Sequence, residues 1–254
     1  MEKISSTLRW LKTVTWIPAR INKAAISACR SENPKTQSGF KAKILSILAL
    51  KNALTFGFSD LQADIAALLI RAGIQVTVFN QRSVDEIFSM LYQVAAMVGE
   101  VQQGEKLLQQ MRKQLESIQG STRNFKRRPK IYFEEWDEPQ ISAISWVSEL
   151  MGIAGGDDCF PELACMPMGK DRIIANSQTI VDRAPDIIIG SWCGKKFRSE
   201  KVASRLGWQD IPAVKNKQLF EIKSADILQP GPAALTDGVV QMQRIVDQWQ
   251  ANHA

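Results

Sequence analysis

The chain has 254 residues, 45% hydrophobic and 23% charged, which is enough to bury a substantial core in one large or two modest domains. Its net charge of +6 is not spread evenly: residues 1–50 hold nine Lys/Arg against two Asp/Glu, and residues 51–254 hold 23 against 24. The basicity therefore belongs to the N-terminal segment, and a nucleic-acid reading would have to rest on that segment alone. The only histidine is His253, which excludes a histidine metal site and a Ser-His-Asp triad. Cys29, Cys159, Cys165 and Cys193 form no CxxC pair, and no apolar run is long enough to span a bilayer.

Residues 1–50 show no strand–helix rhythm. Arg9, Lys12 and Arg20 interrupt what would be the apolar stretch of a secretory signal, so no convincing signal peptide is read. From residue 51 the rhythm is regular. Ala53–Phe58 reads as a strand, Leu61–Arg71 as an amphipathic helix stopped at Gly73, and Ile74–Phe79 as a second strand. Ser83 with Glu86 forms a capping box for a helical stretch running to about Ile118, with an apolar stripe through Ile87, Leu91, Val94, Val98, Val101, Leu108, Met111 and Leu115. If continuous, that stretch is about 50 Å long, and Gly99 and Gly104 are the places for a break.

Lys130–Phe133 reads as a buried strand that ends in Glu134-Glu135-Trp136-Asp137-Glu138-Pro139. Ser145 is expected to cap a helix carrying Trp146, Val147, Leu150, Met151 and Ile153, closed by Gly155-Gly156. A short helix at Ser177–Arg183, strands at Asp186–Ile189 and Leu219–Ile222, and a closing helix over Pro232–Trp249 complete the alternation. Strands alternating with helices predict parallel α/β layers, whose ligands bind at the carboxyl ends of the strands.

Four stretches carry a resemblance: FSDLQADIAALLIRAGIQVTVFNQRS (58–83), YFEEWDEPQISAISWVSELMGIAGGDD (132–158), APDIIIGSWCGKKF (184–197) and ILQPGPAALTDG (227–238). Over residues 49–250 the chain resembles cobalamin-type periplasmic binding proteins, the substrate-binding components of ABC importers for vitamin B12 and iron–siderophores. The resemblance implies an α/β class III fold of two Rossmann-like lobes bridged by a long helix, with the ligand in the cleft between the lobes. The divisions it implies are an atypical basic segment 1–50, the remainder of the N-terminal lobe 51–82, a bridging helical region 83–122 and a C-terminal lobe 130–254.

Carried over position by position, the resemblance implies ligand contacts from Phe58, Ser59 and Asp60, and from Asn80, Gln81 and Arg82. In the second lobe it implies Glu135, Trp136 and Asp137, then Ser145 and Trp146, then Ser191, Trp192 and Lys195, with Asp226 and Gln229 before the last helix. A corrinoid suits such a set, because a broad flat ring needs aromatic faces and its carboxamides need hydrogen-bond partners. Each position has a plainer reading. Trp146 fits a helix core, Trp136 and Trp192 fit lobe packing, and the acids of 134–138 fit a solvated strand end. Asp137 and Glu135 have no accompanying nucleophile or metal set, so no catalytic residue is expected.

The resemblance also has gaps. Residues 1–48 show none of the family's opening strand–loop–helix unit, so the first lobe is expected to be incomplete. The surface glutamates that importer-coupled members offer to a permease fall at Leu45 and Gln178, leaving Glu162 or Asp182 as substitutes. The expected protein is a non-enzymatic monomer with no cofactor and no nucleic-acid partner. It carries cobalamin or a related corrinoid and has an ABC permease as partner. The family implies the periplasm, and the unreadable signal leaves the cytoplasm open. The alternatives are an iron–siderophore or haem binder, a truncated homologue that binds nothing, and a cytoplasmic corrinoid-handling enzyme.

Overall fold

In a computed structural model the described residues are 55–58, 63–71 and 73–252. They fall in two compact units that divide between Asn80 and Gln81. In the first, strands β1 (Thr55–Phe58) and β2 (Val76–Phe79) pair in parallel through helix α1 (Ala63–Arg71), a βαβ turn. Gly73 ends α1 as the sequence predicts. At φ +77° it adopts the left-handed conformation, its N–H donates to Ile70 O (2.9 Å) and that of Ile74 to Leu69 O (3.0 Å).

The second unit opens with α2 (Val84–Met97), whose N-terminus carries the expected capping box. Ser83 Oγ accepts from the Glu86 N–H at 3.1 Å, and the Glu86 carboxylate accepts from the Ser83 N–H at 3.3 Å. Ser83→Ala should cost about 1 kcal/mol of stability, read as a lower urea midpoint at unchanged slope.

The stretch from 83 to 122 is not one long rod. Gly99 at φ +77° closes α2 with the N–H of Glu100 on Ala95 O (2.8 Å), and α3 (Val101–Thr122) then runs back along it. Arg112 pairs with Asp85 (3.6 Å) and lies over the Phe88 ring (4.1 Å), and a Cβ at Gly104 would collide with that of Ala95. Gly104 is therefore a close-packing contact, and Gly99 alone makes the break. Both helices fall within the second unit.

A four-stranded parallel sheet follows in the order β6 (Asp157–Asp158), β3 (Lys130–Glu134), β7 (Ile187–Gly190), β8 (Leu219–Glu221). Nearly every residue of β3 and β7 is buried, as expected of strands covered on both faces. Alternation sends Tyr132 and Ile188 into one core with Phe160, Ile180, Trp192, Phe197, Val202 and Trp208. Ile131, Phe133, Ile187 and Ile189 point to the other face. Buried residues from α4 (Ser145–Ile153) and the closing helix α10 (Val239–Ala251) include Trp146, Val147, Leu150, Met242, Val246 and Trp249.

Short elements link the sheet: β4 (Trp136–Asp137) and β5 (Gln140–Ile141) in an antiparallel pair, α5 (Pro161–Ala164), α6 (Gln178–Arg183), α7 (Ser199–Ala203), α8 (Pro212–Lys215) and α9 (Ser224–Ile227). The closing helix enters through a π-helical turn, Ala234–Gly238. Gly238 there lies against the Asp226 carbonyl so tightly that a Cβ would sit 2.5 Å from it. No helix among the described residues is long and apolar enough to cross a membrane.

Candidate functional site

Because β3, β7 and β8 are parallel, the segments that leave their carboxyl ends share one edge of the sheet. They are Glu134–Glu138 after β3, Ser191–Phe197 after β7 and Ile222–Gln229 after β8. The acids at the end of β3 are not a solvated strand end. Glu134 is fully buried and its two oxygens accept from four groups: Arg205 Nη1 (2.6 Å) and Nη2 (2.9 Å), Trp192 Nε1 (2.9 Å) and Tyr132 Oη (3.0 Å). Burial, and then the charge of Glu134, raise the Tyr132 phenol well above its ordinary value, so it remains a neutral donor. Glu135 receives the guanidinium of the buried Arg172 at 2.6 Å, which also donates to Ser142 O at 2.5 Å.

Asp137 has only 1% of its side chain exposed and binds two ammonium groups, Lys195 and Lys201, the latter at 3.0 Å. The same lysines lie over indoles: Lys195 Nζ is 4.2 Å from the Trp136 ring centre and 5.2 Å from that of Trp192, and Lys201 Nζ is 5.9 Å from Trp192. Burial alone would raise the Asp137 pKa. The hydrogen bonds and charges of both lysines more than reverse it, and the carboxyl ends below its ordinary value. A carboxylate so depressed stabilises the fold above its unfolded-state pKa, and that contribution is lost as pH falls through the lower folded value. The tether between the β3 and β7 segments should therefore hold from neutrality down to about pH 4 and release only below it. Amide exchange across residues 191–205 against pH checks this, and Asp137→Asn should abolish the acid step.

The remaining candidates are distributed unevenly. Ser59 and Asp60 lie outside the described residues, Phe58 ends β1, and Asn80 follows β2 on the surface. Gln81 is buried and donates through Nε2 to Pro230 O (3.0 Å), while its Oε1 has no partner. The Arg82 N–H donates to Glu86, and its Nε and Nη2 are buried without partners. Trp136 is half-buried, with Nε1 donating to Glu138 O at 2.9 Å. Ser191 is fully buried with an unpartnered hydroxyl. Asp226 accepts from Gln241 (3.1 Å), and Gln229 is exposed.

Two indoles take structural places. Trp146 is 4% exposed and donates to Ile227 O at 3.1 Å, the plainer reading the sequence allowed. Trp192 is equally buried, 5.0 Å from the Phe197 ring and bonded to Glu134. Phe197 can reach it because Gly190 has no Cβ to obstruct the ring. Ser145 is not the helix cap. Ile144 holds that place, and the Ser145 hydroxyl sits one residue too late, donating instead to Glu149 at 3.3 Å.

Lys201, Arg172 and Arg205 are the participants that sequence reading missed. Each reaches the edge from a segment with no pattern of its own, and only the carboxylates of 134–137 announced that cations had to meet them. At the positions read as docking sites, Gln178 is hydrogen-bonded to Asp182 (2.9 Å) and Glu162 pairs with Arg183 (2.5 Å). No cluster of His, Cys, Asp and Glu able to hold a metal occurs among the described residues.

In a parallel sheet the carboxyl ends of the strands are where ligands bind, and polar and aromatic segments gather at that edge here. The sequence profile of the periplasmic binding protein family matches residues 14–225, and the chain belongs to that family, whose members are the non-enzymatic substrate-binding components of ABC importers. The match begins well ahead of residue 49, so membership does not stop at the change in charge balance. No curated protein matches the sequence.

Solved structures agree on the fold. An ABC transporter substrate-binding protein of Listeria monocytogenes EGD-e superposes with TM-score 0.67 at 15% identity, covering 81% of each chain. The S. aureus protein IsdE, complexed with heme, gives 0.66 at 15% over 80% of each chain. The periplasmic vitamin B12 binding protein BtuF of Vibrio cholerae gives 0.61 at 19%, over 82% of this chain and 79% of its own. Identities this low show the α/β periplasmic-binding-protein fold and do not choose a ligand.

Proposed function

We propose that this substrate-binding protein carries a corrinoid, with cobalamin the first choice, against the carboxyl edge of the β3–β7 sheet. The observation that carries the reading is Trp136. Its ring is half-buried at the end of β3, its N–H is already satisfied by Glu138 O, and Lys195 covers one face, so the face proposed for the ligand is the opposite one. Lys195, Asp226 and Gln229 are the polar groups proposed for the peripheral amides, with Asp137 holding Lys195 in place. Ser59, Gln81 and Arg82 belong to the proposed contact set by family resemblance. Trp192 supports from beneath, as part of the core that fixes the loop. The vitamin B12 bound by BtuF belongs to this ligand class.

Haem is the second reading, and the supply of axial donors bears on it. Haem iron takes His, Tyr, Met or Cys from the protein. Here the single histidine is His253, Tyr132 is buried on Glu134, and the exposed thiol of Cys193 is the donor nearest along the chain to Lys195. Cobalamin brings its own axial base and asks for none of them. Difference absorbance spectra with cyanocobalamin and with ferric haem separate the two. The corrinoid reading expects saturable cyanocobalamin binding that Cys193→Ser leaves intact; a Soret shift with haem that Cys193→Ser abolishes would replace it.

A further inference from the structure

The proposed site holds an imbalance of charge that the fold does not resolve. Asp137 is the one carboxylate shared by Lys195 and Lys201, and its side chain is 1% exposed against 39% and 52% for the lysines. Two ammonium groups on one carboxylate leave a unit positive charge fixed in place. Each ammonium has three donors and uses one on Asp137, with no second hydrogen bond among the described residues. The other acids at the end of β3 are committed elsewhere, Glu134 to Arg205 and Glu135 to Arg172. Glu138 and Glu200, also in these segments, form no ion pair with either lysine, and Lys196 and Arg198 add cations on the same loop without ion-pair partners among the described residues. The π-faces of Trp136 and Trp192 hold the lysines in position but do not neutralise them.

Resting on the ligand reading above, we infer that Lys195 and Lys201 together receive an anionic group on the rim of the flat ligand, a phosphodiester or a carboxylate. The buried Asp137 pre-sets their separation, so little rotamer freedom is lost when the anion arrives. The anion completes a four-charge cluster, two cations and two anions, with charge-assisted hydrogen bonds on both sides. This would let the protein select among corrinoids by their substituents.

The test uses the full chain and paired ligands. Cyanocobalamin, which carries a phosphodiester, is compared with dicyanocobinamide, which has the same ring without it. Ferric haem is compared with its dimethyl ester to read a carboxylate. The expected result is a preference of about tenfold or more for the anionic member of whichever pair binds. The preference should shrink with added salt and disappear in Lys195→Gln/Lys201→Gln, while Lys196→Gln retains it. A ring-independent arm measures protection of lysines from acetylation by inorganic phosphate, read by mass spectrometry in folded protein. Lys195 and Lys201 should be protected selectively. Equal affinity within a pair, unchanged by salt or by the double substitution, would overturn the inference while leaving the ligand reading in place. Absence of corrinoid binding with phosphate protection intact would sink the ligand reading and support the receptor, and absence of selective protection would overturn the receptor.

Discussion

Arg205→Ala is expected to destabilise the second unit by about 3–5 kcal/mol, because it leaves a buried carboxylate without its charge partner. Glu134 is fully buried at the end of β3, and Arg205 makes both N–H bonds of a bidentate pair to it, at 2.6 and 2.9 Å. The remaining donors, Tyr132 and Trp192, are neutral. They can solvate the charge but cannot offset it. Arg205→Lys should recover only part of the loss, since a point charge cannot bond both oxygens in the planar fork geometry. The double change Arg205→Met/Glu134→Gln should be milder than Arg205→Ala alone, because removing both charges removes the desolvation penalty with them. Urea unfolding followed by circular dichroism reads all three, and a loss under 1 kcal/mol for Arg205→Ala would show that water or a relocated cation serves Glu134 instead.

Trp208→Ala should cost a similar amount, about 3–5 kcal/mol, for a different reason. The indole is completely buried, packs edge-on to Tyr132 at 6.2 Å, and donates to Ser177 Oγ at 3.0 Å. Its removal opens a cavity in the core beneath the binding edge and strands a serine hydroxyl. It also takes away the ring over which the Arg205 guanidinium lies at 4.5 Å. Two residues in such contact should not act independently. The Arg205→Ala/Trp208→Ala protein should be more stable than the sum of the single losses implies, with a coupling of about 0.5–3 kcal/mol. Additive losses would mean that the stacked geometry contributes nothing of its own.

Much of the fold was legible because its signals are local. Alternation and β-branched residues marked β3 and β7, Ser83 and Glu86 marked the start of α2, and Gly73 marked the end of α1. The apolar stripe continues through the break between α2 and α3. A stripe reports which face is buried and not which way the chain runs. Gly99 and Gly104 look alike in sequence, yet one supplies a left-handed turn and the other a gap for Ala95, and only packing distinguishes them. At the site, the acidic and aromatic run after β3 was found from its place at a strand end. Its partners Arg172, Lys201 and Arg205 were not, since they come from segments 35 or more residues away that meet only in the folded sheet. Trp192 stands in a polar sequence and packs in the core because Gly190 and Phe197 make room for it.

The most direct test of the central claim is a titration of the purified chain with cyanocobalamin, followed by tryptophan fluorescence corrected for inner-filter absorption, in the wild type and in Trp136→Ala. Saturable quenching at micromolar affinity or tighter is expected, weakened about tenfold or more by the loss of the indole face. Saturable binding that Trp136→Ala leaves unchanged, or no binding by protein whose circular dichroism shows it folded, would contradict a corrinoid seated on the carboxyl edge of the sheet.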